Sequence, residues 1–244
     1  MTEKSSNATK TKRYNKNFLS QVIFKLNFAA SESIDESSLK SFKSKLGDDF
    51  STLSNIVQQG IVIQGDPSGI TTEQNTNTVW RIDSKDQTLF VEVEKHSLAI
   101  ICTKYSHFDE FKESIGTVQK LFFQTFDTIG DIQRLGLRYI NQLSIAGEAK
   151  VKWEEYVSSN LVGHLDFSED TKIRRSMHSM VLAHDEDTQI NFNFGVFNKY
   201  FPAPIIENEF IIDIDAFTTV AIKKEQILPT ATKFNEVITE YFEK

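Results

Sequence analysis

Apolar side chains recur along this chain with two different periods, and each period predicts one kind of secondary structure. From Val22 to Phe28 large apolar residues stand at every second position, which is typical of a strand with one buried face. From Phe108 to Phe126 they recur every three or four positions, which predicts a helix with a wide apolar stripe. The same reasoning predicts strands at 21–29, 78–83, 87–94, 97–104, 132–144, 172–184, 188–197 and 209–217, and helices at 37–46, 107–126, 151–161 and 225–242. Residues 47–77, rich in Thr, Gln and Asn, predict a short strand and a long, mobile loop.

The predicted elements follow the same order twice: strand, helix, three strands, helix. This order divides the chain into two halves, 18–128 and 129–244, and indicates an internal duplication in pattern rather than in sequence identity. We therefore expect an α+β fold in which duplicated β-α-β-β-β-α units form a continuous antiparallel sheet. The sheet would have about eight strands, with four helices on one face and the other face open to water. The saddle of the TATA-binding protein has a comparable topology, although topology alone carries no function.

Charge is distributed unevenly between the first residues and the rest of the chain. The net charge is −7, with 27 Lys and Arg against 34 Asp and Glu. Residues 1–17 hold one acid, Glu3, and five basic residues: Lys4, Lys10, Lys12, Arg13 and Lys16. We interpret them as a disordered basic tail. The remaining 22 basic and 33 acidic residues give a net charge of −11, which disfavours non-specific nucleic-acid binding because that binding depends on basic groups.

The sequence lacks the signature motifs of several classes of protein. It has no apolar run of 18 residues and no secretory signal, so we expect a cytoplasmic protein without a membrane partner. Its one cysteine, Cys102, lies in an apolar run and predicts a buried, inert thiol. No phosphate-binding glycine loop, nucleophile elbow or zinc-hydrolase histidine pair is present. We therefore expect no cofactor and favour a non-catalytic protein over an enzyme.

Several segments of the chain occur in a characteristic order: 90–105 followed by FDEF at 108–111, RLGLRYIN at 134–141, GVFN at 195–198, FIIDID at 210–215 and FNEVIT at 234–239. Together they resemble a sporadically distributed family of bacterial proteins of unknown function. The resemblance covers roughly residues 18–244 and implies no known activity, cofactor or substrate. The patchy distribution of the family implies an accessory role, such as defence or a toxin–antitoxin-like pair.

Polar side chains of the second half share the face that the helices leave open. Two-residue periodicity places Arg138 on the face of its strand opposite the apolar residues. It places Asp213 and Asp215 on the corresponding face of their own strand. If the two strands are neighbours, Arg138 can grip one of these carboxylates through two hydrogen bonds. Two alternatives are a solvated face with ordinary cross-strand ion pairs and a Mg²⁺ site on the two aspartates. The candidate residues on this face are Arg134, Arg138, Asn191, Asn193, Asp213 and Asp215. The set predicted to bind a partner or ligand is Arg134, Arg138, Asn141, Asn193, Asp213 and Asp215.

Three functional hypotheses follow, in descending order. The first is a non-catalytic protein that binds a protein partner, or its own copy, through the open face or a groove between the halves. The second is a nucleic-acid-binding saddle in which basic residues, Arg174 and Arg175 among them, contact phosphates. The third is a small-ligand sensor or an enzyme with a site around Arg138, Asp213 and Asp215.

Overall fold

The computed structural model describes residues 17–66, 69–146, 151–167 and 172–244. In chain order the elements are β1 Leu19–Phe28, α1 Glu36–Leu46, β2 Phe50–Asp66, β3 Gly69–Ser84, β4 Leu89–Glu94, β5 Ser97–Cys102, α2 Phe108–Thr125, β6 Ile132–Ile145, α3 Ser159–Val162, β7 Ser176–Ala183, β8 Gln189–Phe197, β9 Asn208–Thr218 and α4 Ile227–Phe242. None of the helices in these ranges is long and apolar enough to span a bilayer. The predicted tail, residues 1–17, lies outside the described residues except for Asn17.

The nine strands of the described residues form one sheet in the order β2-β3-β4-β5-β1-β6-β9-β8-β7. Each strand is antiparallel to its neighbours. The prediction of an α+β fold with one large antiparallel sheet is therefore confirmed, with nine strands instead of about eight. At the centre, β1 pairs with β6 along its whole length, from Leu19 to Phe28.

The core lies between the sheet and the helices. Alternate residues of the strands, such as Phe24, Leu137 and Ile214, are fully buried and belong to the same apolar cluster as residues of α2 and α4. Four phenylalanines contact one another in it, with the centroids of the contacting rings 4.8–6.0 Å apart: Phe28, Phe42, Phe122 and Phe126. Burying a side chain of this size contributes roughly 1.5–3 kcal/mol, so the aromatic packing holds the helices on this face.

The prediction for residues 47–77, a short strand and a long loop, is wrong. The structure has two long strands there, β2 and β3, which pair from Phe50 to Asp66. In the described pairings, β3 contacts β4 only over Trp80–Asp83, so most of the β2–β3 hairpin is a two-stranded ribbon. A ribbon without a third strand does not require regular apolar alternation, and its sequence therefore lacks the usual strand signal. Four strands, not three, consequently follow α1.

The helix predicted at 151–161 is also wrong. The segment forms a 3-10 turn at Trp153–Glu155 and the single-turn helix α3, followed by another 3-10 turn at Gly163–Phe167. Trp153 is buried against Phe210, with ring centroids 5.3 Å apart. Tertiary packing of this aromatic residue outweighs the weak helical tendency of the serines and asparagine that follow it.

Gly195 in β8 is the glycine whose replacement we expect to be most costly. Its φ of +143° is unfavourable for residues with a side chain, and a Cβ atom would lie 1.9 Å from the carbonyl oxygen of Ser176 on β7. We predict that Gly195→Ala lowers the free energy of unfolding by at least about 2 kcal/mol, which corresponds to a Tm decrease of roughly 4–8 °C. Thermal unfolding followed by circular dichroism measures this.

Gly163→Ala is the matched control, because Gly163 has helical backbone angles and a methyl group added there would have no described atom within 4 Å. Its Tm should change little. Equal Tm values for the two variants would contradict the strained geometry at Gly195.

Candidate functional site

The side of the sheet opposite the helices, here called the open face, carries most of the predicted site residues. Strand register places Arg138 of β6 beside Ile23 of β1 and Asp215 of β9, with Asn191 of β8 next in the same row. The row beside it contains Asp213 and Asn193, which are paired in register. Antiparallel pairing therefore brings together side chains from strands far apart in sequence.

Arg138 and Asp213 form the two-pronged ion pair that the sequence predicts. Nε and Nη2 of Arg138 donate hydrogen bonds to Oδ1 and Oδ2 of Asp213, both at 2.7 Å. The Asp213 side chain is only 8% exposed, whereas that of Arg138 is 43% exposed. Asn193 Nδ2 donates a further bond to Asp213 Oδ2 at 3.3 Å. The hydrogen bonds with Asp213 raise the pKa of the Arg138 guanidinium, and the two parallel bonds fix the geometry of the pair.

A second ion pair crosses the sheet beside the first. Arg134 Nη2 donates to Asp215 Oδ2 at 2.9 Å, and Asn191 Nδ2 donates to the same oxygen at 3.2 Å. The Arg134 guanidinium passes over Gly136, where a Cβ atom would lie 2.9 Å from Nη1 of Arg134. It also lies 4.6 Å from the centre of the Phe217 ring. The missing side chain at Gly136 leaves the space that this crossing needs.

Burial changes the pKa of the Asp215 carboxyl more than the neighbouring charged and hydrogen-bonding groups do. Desolvation raises the pKa of the Asp215 carboxyl, and the positive charge of Arg134 and the bond from Asn191 lower it only in part. Asp215 is therefore a carboxylate held at some energetic cost in the folded protein.

The first half contributes a comparable charged cluster to the open face. Arg81 donates to Asp83 at 2.9 Å and to Glu92 at 3.2 Å, and its guanidinium lies 4.0 Å from the centre of the Phe90 ring. These four residues all lie on β3 and β4. Their contacts repeat the combination of arginine, carboxylate and aromatic ring seen around Arg134.

Glu94 is the centre of another polar group on this half. Lys25 Nζ lies 3.5 Å from Glu94 Oε1, His96 Nε2 lies 3.5 Å from Oε2, and Asn77 also donates to Oε2. Burial by itself would raise the pKa of Glu94, but the bond from Asn77 and the charges of Lys25 and His96 outweigh it, so that pKa is lowered.

Between the charged clusters runs a short apolar row. Phe90 of β4 pairs with Ile101 of β5, and Ile101 pairs with Ile23 of β1, which in turn neighbours Arg138. All three apolar side chains are half-buried although they lie on the open face. The centre of this face is therefore partly apolar, with ion pairs on both sides.

Asn141 does not belong with the other predicted site residues. It is buried on the helix-covered face, and its Nδ2 donates to the carbonyl oxygen of Ile212 at 3.4 Å. Asn141 is an odd number of residues from Arg138, and odd spacings in a strand place side chains on opposite faces.

Sequence reasoning missed the residues of the first half. Alternation within 78–83 and 87–94 would have placed Arg81 and Asp83 on one face and Glu92 and Glu94 on one face. What it could not supply is the register between these strands. It also missed Glu209, which is buried and accepts a 2.7 Å bond from Gln142.

The described side chains of the open face include six carboxylates and four cations. The carboxylates are Asp83, Glu92, Glu94, Glu209, Asp213 and Asp215, and the cations are Lys25, Arg81, Arg134 and Arg138. Each carboxylate accepts a hydrogen bond from a neighbouring side chain. In the described ranges no three His, Cys, Asp or Glu residues are grouped so that they could hold a metal ion.

No protein-family model matches this chain, and no curated protein matches it. The family resemblance noted from the sequence therefore stays a prediction.

The Arg138–Asp213 pair generates a stability prediction. Arg138→Ala leaves Asp213 buried without its cation, and we expect the free energy of unfolding to fall by about 2 kcal/mol, less than for a fully buried pair because Arg138 is partly exposed. Asp213→Ala should be destabilising as well. The double variant should recover about 1 kcal/mol relative to the sum of the single variants. Urea unfolding of all four proteins measures the coupling.

If the Arg138–Asp213 pair contributed nothing to stability, the changes in the free energy of unfolding caused by the two single substitutions would simply add in the double variant. Arg134→Ala with Asp213→Ala gives the control cycle, because Arg134 bonds Asp215 instead. A coupling as large in that cycle would contradict the specific Arg138–Asp213 pairing.

Asp215 generates a prediction about pH. An Asp carboxyl in an unfolded chain has a pKa of about 3.9, and burial places the folded-state pKa above that value. The folded protein then binds its proton more tightly than the unfolded chain, so ionisation of Asp215 costs stability as the pH rises above about 4. We predict that the free energy of unfolding of the wild type, measured relative to that of Asp215→Asn, decreases as the pH rises above about 4. Thermal unfolding at a series of pH values measures the difference, with Gly163→Ala as a control because a methyl group there would contact no described atom. A difference that grows with pH would contradict the raised pKa.

Proposed function

We propose that this chain is a non-catalytic binding protein of the bacterial cytoplasm that uses the open face of its sheet to bind a protein partner or a second copy of itself. The observation that carries the proposal is the half-buried row of Phe90, Ile101 and Ile23 between fixed ion pairs. An apolar centre with a polar rim is the usual composition of a protein–protein interface.

The state of the charged groups favours binding over catalysis. The carboxylates of the face bond neighbouring side chains, and Asp213 has both oxygens engaged by Arg138. A general base or a metal-binding carboxylate needs an oxygen available to its substrate or ion. Because neighbouring side chains hold these charged groups in place, they form a fixed pattern that a partner with complementary charges would recognise.

The charge balance favours a protein over a nucleic acid as the partner. The open face has more carboxylates than cations among its described side chains, and the chain beyond residue 17 has a net charge of −11. Nucleic-acid affinity depends on neutralising phosphates with basic groups. Continuous pairing of β1 with β6 also favours the face itself over a groove between the halves.

We also propose that the two halves arose by duplication and form a saddle like that of the TATA-binding protein. The strand order supports this, since β1, β5, β4 and β3 extend outward from the centre as β6, β9, β8 and β7 do. A long helix, α2 or α4, closes each half. An experimental structure in which the two strand sets superpose with matching directions would support the proposal, and unlike directions would contradict it.

Photo-crosslinking in the native cell tests the binding proposal. Phe90 is replaced by the photoreactive p-benzoylphenylalanine, and Phe123 of α2, on the helix side, is replaced in the same way as the matched control. Both positions are half-buried aromatic residues. We expect a discrete protein adduct, with a partner or with a second copy, from position 90 and not from position 123. Ile23→Lys should abolish the adduct, and Val220→Lys, in the half-exposed segment before α4, should not.

Three results would contradict the proposal. One is the absence of any adduct at position 90. Another is equal labelling from both positions, and the third is an adduct that nuclease digestion removes, which would favour the nucleic-acid hypothesis instead.

A further inference from the structure

The strand β7 forms one edge of the sheet, and its sequence does little to prevent pairing with another chain. Among the described strands, β7 pairs only with β8. Its eight residues, from Ser176 to Ala183, include no Asp, Glu, Lys, Arg or Pro. The side chains of Val181 and Met180 are 67% and 40% exposed. Edge strands of natural sheets commonly carry charges or proline that block further pairing, and β7 lacks both.

The backbone groups that β7 directs outward follow from its pairing with β8. His184, just past the strand, donates its N–H to the carbonyl oxygen of Thr188. At the other end, the carbonyl oxygen of Ser176 points toward β8, close to Gly195. Residues of an antiparallel strand alternate between bonding the neighbouring strand and facing away from it. The residues whose N–H and C=O groups face away from β8 are therefore Met177, Ser179, Val181 and Ala183.

Charges at the two ends of β7 favour a second copy of this chain as its partner. Arg175 directly precedes the strand, and an acidic turn of Asp185, Glu186 and Asp187 follows it. Lys233 Nζ lies 2.8 Å from Asp185 Oδ2, and the other two acids keep the turn negative. Two such strands running in opposite directions bring the basic end of each copy beside the acidic end of the other. Opposite charges in neighbouring strands are favourable, and like charges are not.

The strand at the other edge of the sheet, β2, does not have this self-complementary pattern. Asp48 and Asp49 precede β2, and Asp66 is its last residue. Antiparallel pairing of two β2 strands would therefore bring acidic ends together, which is unfavourable. The comparison favours β7 as the edge at which two copies meet.

We propose that two copies of this chain pair antiparallel along β7 and form one continuous sheet. The register in which all the outward backbone groups bond places Met180 opposite Met180 of the second copy, and Ser179 opposite Val181. Each opposed pair of outward residues then exchanges two hydrogen bonds. The two-fold axis is perpendicular to the sheet, so the open faces of both copies lie on the same side. This pairing uses the edge of the sheet and does not depend on binding through the open face.

A single cysteine at position 180 tests the register. Met180→Cys is made in the full chain together with Cys102→Ser, which removes the one native cysteine. Opposed residues that are not hydrogen-bonded have Cα atoms about 4.5 Å apart, which is within the range for a disulfide. Mild oxidation should therefore give a covalent dimer in non-reducing electrophoresis. Ile56→Cys on β2, where the native side chain is 46% exposed against 40% for Met180, is the matched control and should give none.

A mixture of two cysteine variants tests the direction of the strands. Met177→Cys and Ala183→Cys, each made with Cys102→Ser, oppose each other in the antiparallel register. The mixed proteins should form a disulfide on oxidation, and neither variant should do so alone. A disulfide within each variant alone would indicate parallel strands and contradict the proposal.

Val181→Lys tests the dimer without a covalent bond. The wild type should sediment as a dimer, and Val181→Lys should raise the Kd of the dimer by at least about tenfold, because it adds like charges along the paired strands. Val57→Lys is the matched control, since Val57 lies on the other edge strand and is 55% exposed. It should leave the dimer unchanged. Circular dichroism verifies that both variants fold, and if Val181→Lys does not, the cysteine variants still decide.

Ile23→Lys separates this proposal from binding through the open face. Ile23 lies on that face and away from the β7 edge, so its substitution should leave the dimer intact. The proposal is overturned if the wild type is monomeric, if position 180 gives no disulfide, or if Val181→Lys and Val57→Lys weaken the dimer equally. It is also overturned if Ile23→Lys dissociates the dimer and Val181→Lys does not, a result that would indicate self-association through the open face.

Discussion

The pairing of β1 with β6 is the interaction on which the rest of this structure depends. It runs from Leu19 to Phe28 and joins two groups of strands into one sheet. Without it, both strands would present unpaired backbone groups at an exposed edge. Because the pairing is in register across the centre, apolar residues of both halves point to the same side. One set of helices can therefore cover both halves, and the opposite face remains available.

Strand register, rather than any local motif, creates the candidate site. Arg138 lies directly beside Asp215 in the β6–β9 pairing, yet it bonds the diagonal neighbour Asp213, while Arg134 reaches Asp215 across Gly136. Two arginines and two aspartates thus interlock over adjacent strands. The same arginine–carboxylate–aromatic combination on β3 and β4 gives the face a charged cluster on each side of its apolar centre.

The sequence predicted the fold best where burial is one-sided. Strands of the central sheet and helices α2 and α4 carry clear apolar periodicity, because one face of each packs into the core. The prediction failed at β2 and β3, where a two-stranded ribbon does not bury one face regularly, and at 151–161, where packing of Trp153 overrides local propensity. It also assigned Asn141 to the site, although strict alternation places this residue on the covered face.

By itself, the sequence determined which side chains share a strand face, and hence that Arg138, Asp213 and Asp215 point away from the core. A strand fixes this through its two-residue period, which needs no information from elsewhere in the chain. Only the tertiary structure decided which strands are neighbours and which arginine bonds which aspartate. These relations depend on contacts between residues far apart in sequence, and no local period encodes such distances.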